Sequence, residues 1–432
     1  MSDLTDHLWE RFGSLDLGDV PDGPREVAEQ CVLDWFGVAR AGATEPLADI
    51  LRSTHAGSEG PCTVLGGARA DEERAALVNG AIGHALDFDD TSPLMGGHPT
   101  VPVLPAALAV VEATGRTCAD LLTAYVVGHE VQARIGAAIG VDHYRRGWHQ
   151  TATVGVFGAA AAVAWLLQLD AERFGHTMGI AASSASGVKA NFGTMTKPLH
   201  AGQAASRGVM AARLAAAGFT ADSTAIDGNQ GLTQAASSGD FRSDRVDTLD
   251  GDWALPRTLF KFHAACHLTH AGIEATRSLV DQHGIGADDV DGIRLTVNPS
   301  ILDVCGIPEP VTGLEAKFSL RGTQAFVLHG VDTMAIASFE DGRVRRDDVQ
   351  ATLGRVEIDT DETLGNMAST VALRVGGEEL TAHADVQRPA TDLAAQRRSL
   401  ESKYRSLTGG DPAVVAAALV GSGSASPADL LV

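Results

Sequence analysis

Lysine is scarce in this chain of 432 residues. Lys189, Lys197, Lys261, Lys317 and Lys403 are all there are, and the other 28 of its 33 basic residues are arginine. Where either base would serve the chain has drifted to arginine, so each retained lysine is a candidate for a specific task. Positive charge is short overall: 33 Lys+Arg against 55 Asp+Glu gives −22. That balance argues against nucleic acid and against anionic membrane as partners, although a local site can still be basic. Cysteines number five (Cys31, Cys62, Cys118, Cys266, Cys305), widely spaced and without a CxxC. This reads as a reducing, cytoplasmic setting and not as a disulfide framework. The N-terminal MSDLTDHLWERF has acids and no apolar core, so a secretory signal is not expected. The longest uncharged stretch, Gly147 to Leu169, is Ala- and Gly-rich and contains His149 and Gln150. It suits a buried helix better than a membrane span.

Signature motifs are missing too. There is no GxGxxG, GxxxxGK[ST], HExxH or GxSxG, which removes the usual signals of nucleotide, zincin and serine-hydrolase chemistry.

What is present is helical periodicity over residues 1 to about 260. Pro24–Ala39, Asp71–Leu86, Asp120–Ile139, Thr151–Leu169 and His200–Ala217 carry apolar residues at helical spacing or are Ala-rich. Asp120 reads as a cap, and Gly218 as a stop. Gly292–Val297, Arg355–Asp359, Val371–Val375 and Glu378–Ala382 alternate like strands. Thr323–Leu328 reads as helix between them, and helix returns from about Ala394. The fold expected is mainly α with a smaller α+β domain. The large all-helical domain takes 1–261 and 396–432, and the α+β lid takes 262–395.

Four segments place rare bases beside Gly or Pro at helix ends: ALDFDDTSPLMGGHPT (85–100), RRGWHQTATVG (145–155), GTMTKPLHAGQAA (193–205) and LFKFHAACHLTH (259–270). His98, His149, Lys197, His200, Lys261 and His267 are then free to converge in a cleft. Asp87, Asp89 and Asp90 could hold a cation, or cap a helix and pair with nearby bases. His263, His267 and His270 would share one helix face and, with Cys266, could ligate zinc. Lys261 beside them opposes a cation, so no metal is assigned. This inventory suits chemistry on an anionic carbon acid. Removing a proton beside a carboxylate builds negative charge, which Lys, His and Thr can stabilise, and a base titrating near neutrality must take the proton. No organic cofactor is needed.

At these residues the chain resembles the MmgE/PrpD family, which includes 2-methylcitrate dehydratases, cis-aconitate decarboxylases and iminodisuccinate epimerases. The resemblance rests on HALDFDDT with GGHPT, on GWHQTATVG, on TKPLHAGQAA and on FKFHAACHLTH. It implies a helical large domain with an α+β lid, a site between them, a homodimer and no cofactor. It implies that Asp87, Thr91, His98, His149, Lys197 and His267 line the pocket. His98 and His149 would handle protons, Lys197 and Lys261 would hold carboxylates, and Asp87 would orient a His or act as a base. His200 is a further substrate contact.

The family's dehydratases and decarboxylases resemble each other in carrying a Tyr where this chain has Gly322. Tyr144 then replaces it from another direction, or the reaction differs. Gly322 is expected to enlarge the pocket, and Arg321 to add an anion contact. The expected activity is a lyase on a small di- or tricarboxylate, foremost a hydro-lyase, with epimerase and decarboxylase as alternatives.

Overall fold

The computed structural model describes residues 3–55, 59–237, 241–247, 253–419 and 427–431. The chain is mainly helical with a smaller α+β part. It divides into two compact units: Met1–Phe260 with Ala390–Val432, and Lys261–Pro389. No helix among the described residues is long and apolar enough to cross a membrane.

The longer helices of the first unit, in chain order, are α1 (Asp3–Phe12), α2 (Asp22–Gly42), α3 (Glu72–Gly83), α4 (Thr100–Thr114), α5 (Cys118–Ile139), α6 (Gly155–Leu166), α7 (Ala171–Ser184) and α8 (Thr196–Ala216). Their starts follow capping chemistry. Asp71 accepts from the Arg74 amide at the head of α3. At α5 the cap is Thr117, three residues ahead of the expected Asp120, and Asp120 completes a capping box by accepting the Thr117 amide. The helix expected over Thr151–Leu169 is broken at Val154 into Gln150–Thr153 and α6. The small residues of α3, α6 and α8 let these helices approach closely. A Cβ on Gly202 of α8 would lie 2.1 Å from the Leu77 carbonyl oxygen and 2.9 Å from the Ala81 nitrogen of α3. Backbone cannot yield there as a flexible side chain can. Gly202→Ala is therefore expected to cost about 1–3 kcal/mol in urea unfolding, as overpacked cores do.

A short hairpin, β1 (Cys62–Val64) with β2 (Ala68–Ala70), precedes α3. Helix Leu393–Thr408 belongs to this unit and packs along α2. The second unit holds a four-stranded sheet in the order β4-β3-β5-β6: β3 is Gly292–Val297, β4 Val356–Thr360, β5 Ala368–Val375 and β6 Glu378–Asp385. β3 and β4 are parallel, joined through intervening helices, and the other pairs are antiparallel. Ile293, Leu295 and Val297 alternate into the core of this unit with Val371 and Leu373. Helix His270–His283 covers β5 and β6. Helix Leu320–Leu328 begins at the Ser319 cap.

Candidate active site

The site grows from the loop between α3 and α4. After α3 ends at His84 the chain runs through Asp87, Asp89, Asp90, Thr91 and His98 to Pro99. The loop is tied down at several points. Thr91 and Leu259 exchange backbone hydrogen bonds of 2.8 Å. The Thr100 hydroxyl donates to Asp90 and lies 2.7 Å from the Tyr125 hydroxyl. The glycines of GGHPT have a steric purpose. Gly96 has φ +73°, and a Cβ on Gly97 would sit 2.8 Å from the Thr151 nitrogen. Their bareness lets the WHQT segment lie against the loop, where the His98 amide donates to Thr151 Oγ1 at 3.1 Å. His149 stands just before the short helix Gln150–Thr153, and Lys197 and His200 stand in the first turns of α8.

These pieces converge. Lys197 Nζ donates to Asp87 Oδ1 at 2.7 Å. His98 lies between two carboxylates, with Nε2 3.4 Å from Asp87 Oδ1 and Nδ1 3.0 Å from Asp89 Oδ2. The other oxygen of Asp89 pairs with His84 Nδ1 at 2.8 Å. The His84 ring stands edge-on to His98, centroids 4.4 Å apart, and stacks at 6.1 Å from His149. His149 Nδ1 and His200 Nδ1 are 3.2 Å apart, so one carries the proton the other accepts. Phe192 closes edge-on against His149. His149, His200, Lys197 and His98 are all at least nine-tenths buried.

Burial and charge set the protonation states. Burial, then the Lys197 ammonium, holds His149 well below the ordinary imidazole range, so it is neutral at pH 7. His84 is pushed down to about 4, again first by burial. His200 is lowered by burial and by Lys197. For Asp89, burial alone would raise the carboxyl, but the His84 and His98 rings pull it well below the carboxylate range. The cluster therefore offers a neutral imidazole, an ammonium paired with a carboxylate, and an imidazole braced by two carboxylates. That set can accept a proton from carbon and stabilise the charge left behind.

Residues 8–244 match the MmgE/PrpD N-terminal domain, and residues 263–416 match the MmgE/PrpD C-terminal domain. The chain belongs to the MmgE/PrpD family. Similar proteins include the human cis-aconitate decarboxylase, 29% identical over 378 residues, which covers 83% of this chain and 77% of that one. The cis-aconitate decarboxylase of Aspergillus terreus is 27% identical over 443 residues, 94% of this chain and 90% of that protein. The mouse cis-aconitate decarboxylase is 29% identical, with 83% and 76% covered.

The other expected site residues of this MmgE/PrpD chain are divided between the two units. Thr91 makes the Leu259 bridge at the end of the Asp87–Asp90 run. Tyr144, on the short helix Val141–Arg145, carries the Lys189 ammonium 3.6 Å over its ring. In the second unit, Lys261 and His267 are buried, and Arg321 Nε is buried without a hydrogen-bond partner among the described residues. FKFHAACHLTH is not the continuous helix its spacing suggested. The Ala264 amide donates to Thr333 and the Cys266 amide to Lys317, so the backbone bonds elsewhere and the helix begins only at His270. The His263, His267 and His270 rings still meet, at 4.7 and 4.9 Å. His263 is engaged at both nitrogens, by Glu274 at 2.6 Å and Thr333 at 2.8 Å. Gly322 does not open the space expected of it. A Cβ there would already lie 3.2 Å from Pro310 Cγ and Ser319 Cβ.

His84 stands inside HALDFDDT without having been assigned a role from the sequence, and Asp89, read there as a cation ligand or a partner of nearby bases, pairs with His84 and His98. The five-residue separation of His84 and Asp89 gives no hint of contact until the chain turns back after α3. The ligand atoms of His84, Asp87, Asp89 and His98 all lie within 4.8 Å of one another, so this group could enclose a divalent ion. Lys197, seated on Asp87 at 2.7 Å, places one positive charge beside this group.

Asp90 gives a pH test of the loop. Burial raises its carboxyl to about 7, above the ordinary value it takes in the unfolded chain. A raised acid stabilises the fold fully below about pH 4, and that contribution is lost as pH rises to about 7. The stability of the wild type relative to Asp90→Asn should therefore fall between pH 4 and 7, by up to about 4 kcal/mol, and stay level above. Urea unfolding at a series of pH values checks this.

Proposed function

We propose that this protein is a lyase acting on a small polycarboxylate, through negative charge developed on carbon beside a carboxylate. The carrying observation is the buried cluster of Lys197, Asp87, His98 and His149, which joins an ammonium to a neutral imidazole and a carboxylate-braced one. In this reading His149 takes or returns the proton at carbon, and His98 serves as the acid, held by Asp89 and Asp87. Lys197 binds a substrate carboxylate and stabilises the charge it gains, while Asp87 orients Lys197 and His98. His200 sets the tautomer of His149. Thr91 and Tyr144 are proposed substrate contacts. Lys261 and His267 are assigned to carboxylate binding from the family resemblance, and Arg321 is assigned as an added anion contact beside Gly322.

The relatives' names favour decarboxylation of a cis-aconitate-like acid. Loss of CO₂ leaves the bond's electron pair on carbon, and a proton delivered to that carbon completes the reaction. Dehydration is the second reading, since the same cluster can take a proton beside a carboxylate and return one to a departing β-hydroxyl, while the missing phenol at Gly322 weighs most against decarboxylation. There the proton leaves carbon first and the β-hydroxyl departs with an added proton.

The test is proton NMR in D₂O on chelator-treated protein with cis-aconitate, 2-methylcitrate and iminodisuccinate. A new vinyl product one carbon shorter supports decarboxylation, and one of equal carbon count supports dehydration. Deuterium at a stereocentre without a vinyl product overturns the lyase in favour of an epimerase. Activity that appears only after a divalent ion is restored overturns metal independence, and silence with every compound overturns this substrate class.

A further inference from the structure

Lys403 has no part in the chemistry above, yet it is one of the five retained lysines and is 3% exposed. It stands on helix Leu393–Thr408, 315 residues from the loop it touches. Its Nζ lies 2.7 Å from Asp34 Oδ1 of α2. The same ammonium donates to the Phe88 carbonyl at 2.8 Å and stands 3.9 Å over the Phe88 ring. Phe88 is the residue between Asp87 and Asp89, the two carboxylates that flank His98.

The backbone here is under constraint. Asp87 has φ +51°, in the left-handed region. A non-glycine residue there persists where the surroundings hold it. The helix bearing Lys403 is itself firmly seated. Gly37 of α2 is so close to Tyr404 that a Cβ would lie 3.1 Å from its ring. Arg40 donates to the Tyr404 hydroxyl at 3.0 Å, and Arg397 binds Glu26 through two hydrogen bonds of 2.5 and 2.8 Å.

We infer that Lys403 is a positioning residue: anchored by Asp34, its ammonium grips the Phe88 carbonyl and fixes Asp87 and Asp89 where Lys197 and His98 need them. The inference rests on Asp87, His98 and Lys197 being the reacting cluster. A plain core ion pair would affect stability alone.

The experiment uses the full-length protein with Lys403→Met, Lys403→Arg and the double variant Asp34→Asn/Lys403→Met. The double variant removes both charges, so no bare carboxylate is left buried and folding is protected. One arm measures hydrogen–deuterium exchange of amides 85–91 against those of α5 in the ligand-free protein. The other measures kcat and KM on the compound turned over in the NMR panel. The double variant should exchange at 85–91 at least about tenfold faster with α5 unchanged. Its kcat should fall about 10–100-fold with KM within about threefold, as small misplacements of catalytic groups do. Lys403→Arg, which keeps the charge, should recover part of kcat. Wild-type exchange at 85–91, or wild-type kcat, in the double variant overturns the inference. If wild-type protein turns over none of the polycarboxylates, the proposed function fails, and the exchange arm still decides on Lys403.

Discussion

Lys197→Met is expected to lower kcat/KM by about 10³-fold while leaving a folded protein. Removing one preorganised donor to developing charge commonly costs about 10²–10³ in rate. Here the same ammonium also holds Asp87, at 2.7 Å, so its loss disturbs the orientation of the cluster too. The variant carries a second, independent signature. After burial, the Lys197 charge is the largest cause of the depression of the His149 and His200 imidazoles. Removing the charge should move the His200 titration upward, read from its ring proton in NMR across pH 4–8. Steady-state kinetics within tenfold of wild type, or a His200 titration that does not move, would falsify the electrostatic role given to Lys197.

Asp87→Asn should reduce kcat/KM by a similar factor, about 10³. Asparagine is nearly isosteric and is one of the few residues that visit the left-handed region readily, so the backbone at φ +51° is retained and the change is one of charge. Lys197 loses its carboxylate partner, and His98 Nε2 loses the acceptor 3.4 Å away. Because Asp87 and Lys197 act as one unit, the double variant Asp87→Asn/Lys197→Met should be about as slow as either single variant, and not slower by the product of the two. Purified variants, compared by kinetics and by urea unfolding, separate this from a loss of folded protein.

Much of the fold is written in local pattern. The alternation in GIRLTV marks β3, and its residues Ile293, Leu295 and Val297 do point into one core. Apolar spacing marks α2 through Val27, Cys31, Val32 and Trp35, all buried. Hairpin β1–β2 escaped because three-residue strands carry no period to detect. FKFHAACHLTH misled because spacing reports which residues could share a helix face, whereas the Thr333 and Lys317 carbonyls had already taken its amides. The candidate site divides the same way. His98, His149, Lys197 and His200 were visible as rare bases beside Gly and Pro, Asp87 as part of a carboxylate run, and the structure brings them together. The bracing of His98 by Asp89 and His84 depends on how the 84–98 loop turns back on itself, and the reach of Lys403 to Phe88 spans 315 residues, so periodicity reports neither.

The pairing of α2 with helix Leu393–Thr408 also has a consequence for how the protein is made. Everything Lys403, Tyr404 and Arg397 dock against has left the ribosome long before they do. The segment 261–389 is synthesised in between, which at about 5–20 residues per second takes roughly 6–26 s. During that interval the first unit waits with the α2 flank of Glu26, Asp34 and Gly37 uncovered, a period in which chaperones and proteases can act on it. A message cut short after Pro389 would encode every residue of the histidine–lysine cluster and still yield a chain with that flank uncovered.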